Sequence, residues 1–198
     1  PTQKVEKPKR VAQSARLAVT WVGHATMLVQ LDDRFILTDP VFTSSVGQLS
    51  PRLVEPGIDI EQVPTLDAVL ISHLHYDHLS LGSVALLESK TRAMVMPYGG
   101  IAYLTDFRFP VNELLPWQSV EREGLRITAV PVDHVGHRHA IDKSWMKTTF
   151  TGYVIEYHGL TVYFPGDTAY NGTFFAATRE RFPSIDLALL PIAPIEPR

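Results

Sequence analysis

The chain has 198 residues, 45% of them hydrophobic, with a formal net charge of -3 and no cysteine. That apolar content suits one globular domain with a real core, and the charge argues neither for nor against nucleic acid. The lack of cysteine excludes a disulfide framework and any thiolate metal ligand, and no stretch reaches the apolar length of a membrane-spanning helix.

In chain order, residues 1–16 are polar, with Lys4, Lys7, Lys9, Arg10 and Arg16 and little periodicity. They read as a solvated tail or linker, or as a basic segment leaning on an anionic membrane surface. The chain begins at Pro1 and shows no signal peptide, as expected of a trimmed or domain-cut product, cytoplasmic or peripherally membrane-associated. Residues 17–198 read as one domain. Residues 17–30 and 34–38 are predicted as two strands around the turn Asp32-Asp33. Residues 43–64 hold Pro51, Pro56, Gly57 and Pro64 and form a long loop, of the kind that often lines an active site. A strand over 66–72, a helix over about 80–89 and a short strand over 93–96 follow. Residues 100–105 suggest a short helix, and 111–115 and 125–130 further strands. Two more strands, 150–157 and 160–164, flank the hairpin signal His158-Gly159. A helix over 173–181 and a strand over 186–190 complete the pattern. This mixture fits an α/β (α+β) domain of layered sheets with helices outside.

Residues 73–78 read His-Leu-His-Tyr-Asp-His, directly after the apolar run 66–72. Folding alone does not favour three imidazoles at a strand end, whereas neutral imidazole and carboxylate hold zinc and similar divalent ions. In extended chain, residues two apart point the same way, so His73 and His75 can close on one ion from one side. Asp77 and His78, at the entrance of the following helix, can address a second. Two adjacent ions can hold a bridging hydroxide and polarise a substrate oxygen. Asp167 and His134 also lie just past apolar strands. Asp167 alone would read as a turn aspartate, but beside the hexapeptide it reads as a ligand.

The hexapeptide is the signature of the metallo-β-lactamase superfamily. Trp21-Val22-Gly23-His24-Ala25-Thr26, Leu37-Thr38-Asp39-Pro40-Val41-Phe42, Phe164-Pro165-Gly166-Asp167-Thr168-Ala169-Tyr170 and Pro191-Ile192-Ala193-Pro194-Ile195-Glu196-Pro197-Arg198 resemble one of its branches. That branch holds the N-acyl-phosphatidylethanolamine-hydrolysing phospholipase D and its bacterial relatives. The ascorbate-6-phosphate lactonase group is a more distant likeness. The resemblance implies an αββα sandwich, here lacking its C-terminal end, around two divalent ions, zinc by expectation. It makes His134 the third ligand of the first ion, with His73 and His75, and Asp167 a bridge between both ions. Asp39 resembles the aspartate that supports a ligating histidine from behind. His24 is expected in a similar supporting role rather than as a ligand. His137 and His139 read as solvated loop residues or substrate contacts. Asp77, His78 and Asp167, with a metal-bound water, are the expected catalytic set.

The family places one more histidine well downstream of the Glu-Pro-Arg block, and this chain ends at Arg198. A weak second site is therefore expected, or a site completed by a further segment or a second chain. The leading expectation is a metal-dependent hydrolase, a phosphodiesterase acting on a small-molecule or lipid-like phosphodiester. Trp145 and Met146 are apolar candidates for lipid contact, and peripheral membrane contact is an associated expectation. The alternatives are a lactonase or other carboxylic-ester hydrolase on the same site, and a non-catalytic metal-binding remnant or interaction module. No nucleic-acid partner is expected, because the folded region carries no basic stripe with interleaved aromatics.

Overall fold

The computed structural model describes residues 2–9, 11–136, 138 and 149–192. His137, His139, Trp145, Met146 and the block from Ala193 to Arg198 lie outside the described residues.

The first sheet begins with three antiparallel strands, β1 (Leu17–Gly23), β2 (Thr26–Leu31) and β3 (Arg34–Thr38). A small ladder of β4 (Ser45–Val46) and β5 (Ser50–Pro51) lies within the 43–64 loop. Then β6 (Ala68–Leu70), helix α1 (Leu81–Leu87), β7 (Met94–Pro97) and β8 (Val111–Leu114) follow, the three strands extending the sheet from β3 in parallel. The second sheet holds β9 (Ser119–Arg122), β10 (Leu125–Val130), β11 (Gly152–Tyr157) and β12 (Leu160–Phe164). Helix α2 (Gly172–Arg181) leads to β13 (Leu187–Ala188), which pairs with β12 in parallel.

Alternation along each strand sorts the side chains into layers. Val29, Leu31, Ile36, Ala68 and Leu70 face the second sheet and pack with Ile127, Ala129, Tyr153, Ile155 and Phe164. Their neighbours Leu28, Leu37 and Val69 face outward and pack under Val84 and Leu87 of α1. On the opposite outer face, Val130, Val154 and Tyr163 meet Phe175, Phe182 and Ile185 from α2 and its exit. The order is helix, sheet, sheet, helix, the αββα sandwich that the resemblance implied. No helix among the described residues is long and apolar enough to cross a membrane.

Four local expectations change. Residues 17–30 are not one strand: the chain reverses between Gly23 and Thr26, where Gly23 has φ 137° and His24 φ 52°. The apolar run continues on both sides of this reversal, so no break in hydrophobicity marks it. Strand β9 went unpredicted, because an exposed edge strand of Ser119-Val120-Glu121-Arg122 lacks a buried face. The segment 100–105 forms only a single 3₁₀ turn, Ile101–Tyr103. The basic segment 1–16 is not a free tail. Gln3 bridges to Val54, Lys7 pairs with Glu55 and Asp59, and Val11 is buried in the core. The 43–64 loop supplies the acidic partners of Lys7.

The sheets are joined at the end where the hexapeptide lies. The Thr151 N–H donates to Ser72 O at 2.8 Å, and His73 and Phe150 form a bridge between the sheets. Tyr153, fully buried between the layers, donates its hydroxyl to Ile71 O at 2.8 Å. Tyr153→Phe removes that donor while keeping the ring. It should cost about 1–2 kcal/mol, because a buried carbonyl loses its partner. Urea unfolding of the metal-free protein measures this, and an unchanged midpoint would show that the bond contributes nothing.

Candidate metal centre

Four strand ends converge on one edge of the sandwich. Asp39 follows β3, Ser72 to His78 follow β6, His134 follows β10 and Asp167 follows β12. Strand ends give such residues rigid support, since the preceding backbone is fixed by ladders on both sides.

The first group is His73, His75 and His134, whose ligand atoms all lie within 4.8 Å of one another. The rings meet edge-on, with centroids 4.5 Å apart for His73 and His75 and 4.3 Å for His73 and His134. His73 Nε2 and His75 Nδ1 are 2.8 Å apart. Ser72 fixes the His73 tautomer. Its hydroxyl donates to Asp39 Oδ2 at 2.6 Å, so its oxygen accepts from His73 Nδ1 at 2.9 Å. The Nε2 lone pair is then left facing His75. Burial, with repulsion from the neighbouring histidines, holds His73 well below the usual imidazole range. It is therefore neutral, the form that binds a cation.

The second group is His24, Asp77 and His78. Asp77 Oδ2 is 3.0 Å from His24 Nε2 and 3.7 Å from His78 Nε2. Asp167 Oδ2 approaches His78 Nε2 at 3.5 Å. The His73 and His78 ring centroids are 4.0 Å apart, so the two groups share a wall. Burial opposes charge on His78, yet Asp39 and Asp167 together push it up to about 10. Burial also opposes ionisation of Asp77 and Asp167, but the adjoining histidines lower both carboxyls.

Asp39 lies behind both groups and is fully buried. It accepts from the Ser72 N–H at 2.7 Å, the Ser72 hydroxyl at 2.6 Å and His78 Nδ1 at 2.8 Å. These partners occupy both of its oxygens, and Asp39 also forms a third close group of donor atoms with His73 and His78. His78 Nδ1 is thereby turned to Asp39 and Nε2 to the site. That Nε2 is buried without a hydrogen-bond partner. A divalent cation among imidazole nitrogens and carboxylate oxygens fits this donor set, and would compete with the His78 proton for Nε2.

Ser72 and Gly166 were not singled out from sequence. Gly166 has φ 63°, and a Cβ there would fall 2.3 Å from Ser72 Cβ. Only a glycine permits the approach that places Asp167 beside the hexapeptide. The signal was available as a small residue just before each ligand, since strand-end glycine often marks close backbone approach. Beyond Gly166, the Asp133–Ala169 bridge stitches the loop to that of His134, and Asp133 N–H donates to Thr168 Oγ1 at 3.0 Å.

Gly166→Ala should cost at least about 2 kcal/mol through the clash and the left-handed backbone. Thermal unfolding checks this, and a wild-type melting temperature would refute the steric argument. Asp39→Asn should lower metal affinity about 10- to 100-fold, as loss of an orienting carboxylate typically does. Zinc titration against a chromophoric chelator measures it, and unchanged affinity would show that His78 needs no such partner.

The family model described as beta-lactamase superfamily domain matches residues 34–198. N-acyl-phosphatidylethanolamine-hydrolyzing phospholipase D 1 of Caenorhabditis elegans is 32% identical over 200 residues, covering 92% of this chain and 55% of its own length. A metal-dependent hydrolase of Methanopyrus kandleri is 30% identical over 155 residues, covering 77% of this chain and 62% of its own. The crystal structure of a metal-dependent hydrolase from Parabacteroides distasonis superposes with a TM-score of 0.64 at 23% identity. That superposition covers 90% of this chain and 71% of the other, and at such identity it speaks for the fold alone. The chain spans about half the length of the curated relatives it matches. The family match takes in the sandwich from β3 onward and every candidate ligand except His24, and the chain belongs to the metallo-β-lactamase superfamily.

Proposed function

We propose that the chain is the catalytic domain of a metal-dependent hydrolase that cleaves phosphodiesters, with two divalent ions and zinc as the expected metal. The observation that carries this reading is the adjacency of two ligand groups, His73–His75–His134 and His24–Asp77–His78, at one edge of the sandwich. Such an ion pair, when bound, polarises a phosphoryl oxygen and lowers the pKa of water.

The chain's own residues do the rest. His73, His75 and His134 would hold the first ion. Asp77 and His78 would hold the second, with Asp167 facing both groups. Asp39 keeps His78 oriented with Nε2 inward, and Ser72 does the same for His73. Asp77 and Asp167 are partly exposed while His73 and His78 are buried, so a substrate approaches from the carboxylate side. The 43–64 loop reaches that side at Gly47, where a Cβ would come within 3.8 Å of Asp77 Cβ. The phosphodiester class is supported by the activity for which the C. elegans relative is named.

Zinc-loaded protein should be assayed on bis-(p-nitrophenyl) phosphate, an N-acyl-phosphatidylethanolamine and a panel of lactones. Phosphodiester turnover is expected, abolished by a chelator, restored by zinc and mostly lost in His75→Ala. Lactone turnover without phosphodiester turnover would overturn the substrate class. Full activity in His75→Ala would overturn the metal site.

A further inference from the structure

We propose that His24 is a direct ligand of the second ion, beside Asp77, His78 and the shared Asp167. The proposal rests on the two-ion reading above and goes beyond it in assigning a ligand from the β1–β2 turn.

The argument starts from which oxygen His24 meets. A histidine that merely orients a ligating carboxylate takes the oxygen turned away from the ion. His24 Nε2 instead lies 3.0 Å from Asp77 Oδ2, the same oxygen that His78 Nε2 faces at 3.7 Å. Three donor atoms of different residues therefore converge on one small volume. Two atoms bound to one tetrahedral zinc at bond lengths near 2.0–2.1 Å lie roughly 3.3 Å apart. The observed separations bracket that value. A second observation points to the same neighbourhood: His78 Nε2, on a wholly buried ring, has no hydrogen-bond partner and stands 3.5 Å from Asp167 Oδ2 and 3.7 Å from Asp77 Oδ2. The His24 and His78 rings stand edge-on with centroids 4.9 Å apart, as the two rings of the first group do.

The backbone holds His24 at this spot against local preference. Its φ of 52° is left-handed, a conformation that non-glycine residues keep only when their surroundings fix it. The surroundings do so from both sides. Trp21 Nε1 donates to His24 O at 2.9 Å, and Thr38 Oγ1 donates to Ala25 O at 2.8 Å. Thr26 Oγ1 donates to Asp39 O at 2.7 Å. Asp39 also holds His78 through its side chain, so the turn carrying His24 and the ring of His78 share one support.

The test compares metal-free wild type, His24→Ala and His24→Gln, titrated with zinc by calorimetry and checked by elemental analysis. Glutamine keeps an N–H that can donate to Asp77 but is a poor zinc ligand. Two ions are expected in wild type. Both variants should bind the first ion within about threefold of wild type, which also shows that they fold. The second ion should weaken by more than about 100-fold, beyond the range typical of an orienting partner. Cobalt-loaded wild type should show a paramagnetically shifted, solvent-exchangeable ring N–H signal that both variants lack. Wild-type second-ion affinity in His24→Gln, or an equal number of shifted signals in that variant, would make His24 an orienting residue and overturn the proposal. A wild type that binds a single ion at saturating zinc would overturn the two-ion reading itself, a result visible without either variant.

Discussion

The arrangement of this site depends on one buried carboxylate. Asp39 lies at the end of β3 with φ 34° and no exposure, and it accepts three hydrogen bonds from Ser72 and His78. A buried carboxylate is costly unless its oxygens are satisfied. Here the satisfaction comes from the two residues that set the ligands' directions. Ser72 passes the constraint to His73 through its hydroxyl, and His78 receives it directly. The carbonyl of Asp39 extends the same support to Thr26 and the β1–β2 turn. One residue thereby orders elements from the first strand to the hexapeptide.

The sandwich explains why candidate ligands so far apart in sequence can meet. Tyr153 and the Thr151–Ser72 bond lock the two sheets together at their ligand-bearing ends. His134 and Asp167 come from the second sheet, and the hexapeptide and Asp39 from the first. The centre is thus a seam between sheets. Its precision derives from the packing of Leu70, Val95, Ile127 and Ile155 behind it. A small shift of one sheet on the other would separate the ligand groups without altering any ligand.

Much of this was legible in the chain because ligand chemistry is distinctive. Three histidines and an aspartate in six residues have no folding rationale, and apolar runs with period-two alternation locate the strands that carry them. The four blocks carried the resemblance to the superfamily, which the family match over residues 34–198 bears out. What escaped reading depends on partners remote in sequence. The reversal at Gly23–His24 is set by Trp21, Thr38 and Asp39, and the surrounding hydrophobicity gives no hint of it. Gly166 is informative only once Ser72 is known to face it. The lysine-rich start looked solvated because its partners, Glu55 and Asp59, lie about fifty residues onward.

That packed start bears on the behaviour of the loop beside the site. Residues 43–64 contain Glu55, Asp59 and Glu61 and several prolines, and offer few side chains to bury. Arg52 gathers part of the loop from within, donating to the carbonyls of Val41, Thr43 and Val54. Its later part is anchored by buried Ile58 and Val63 and by Lys90, which donates to the carbonyls of Ile60, Glu61 and Val63. Its middle is steadied from outside by the bridge between Gln3 and Val54 and by the ammonium of Lys7 between two carboxylates. Those outer contacts are partly exposed ion pairs and one short stretch of ladder, so ionic strength screens them more than it screens the buried Asp39 network. The rim of the site and its floor therefore respond differently to the medium. Salt can loosen the entrance while leaving the ligand directions untouched.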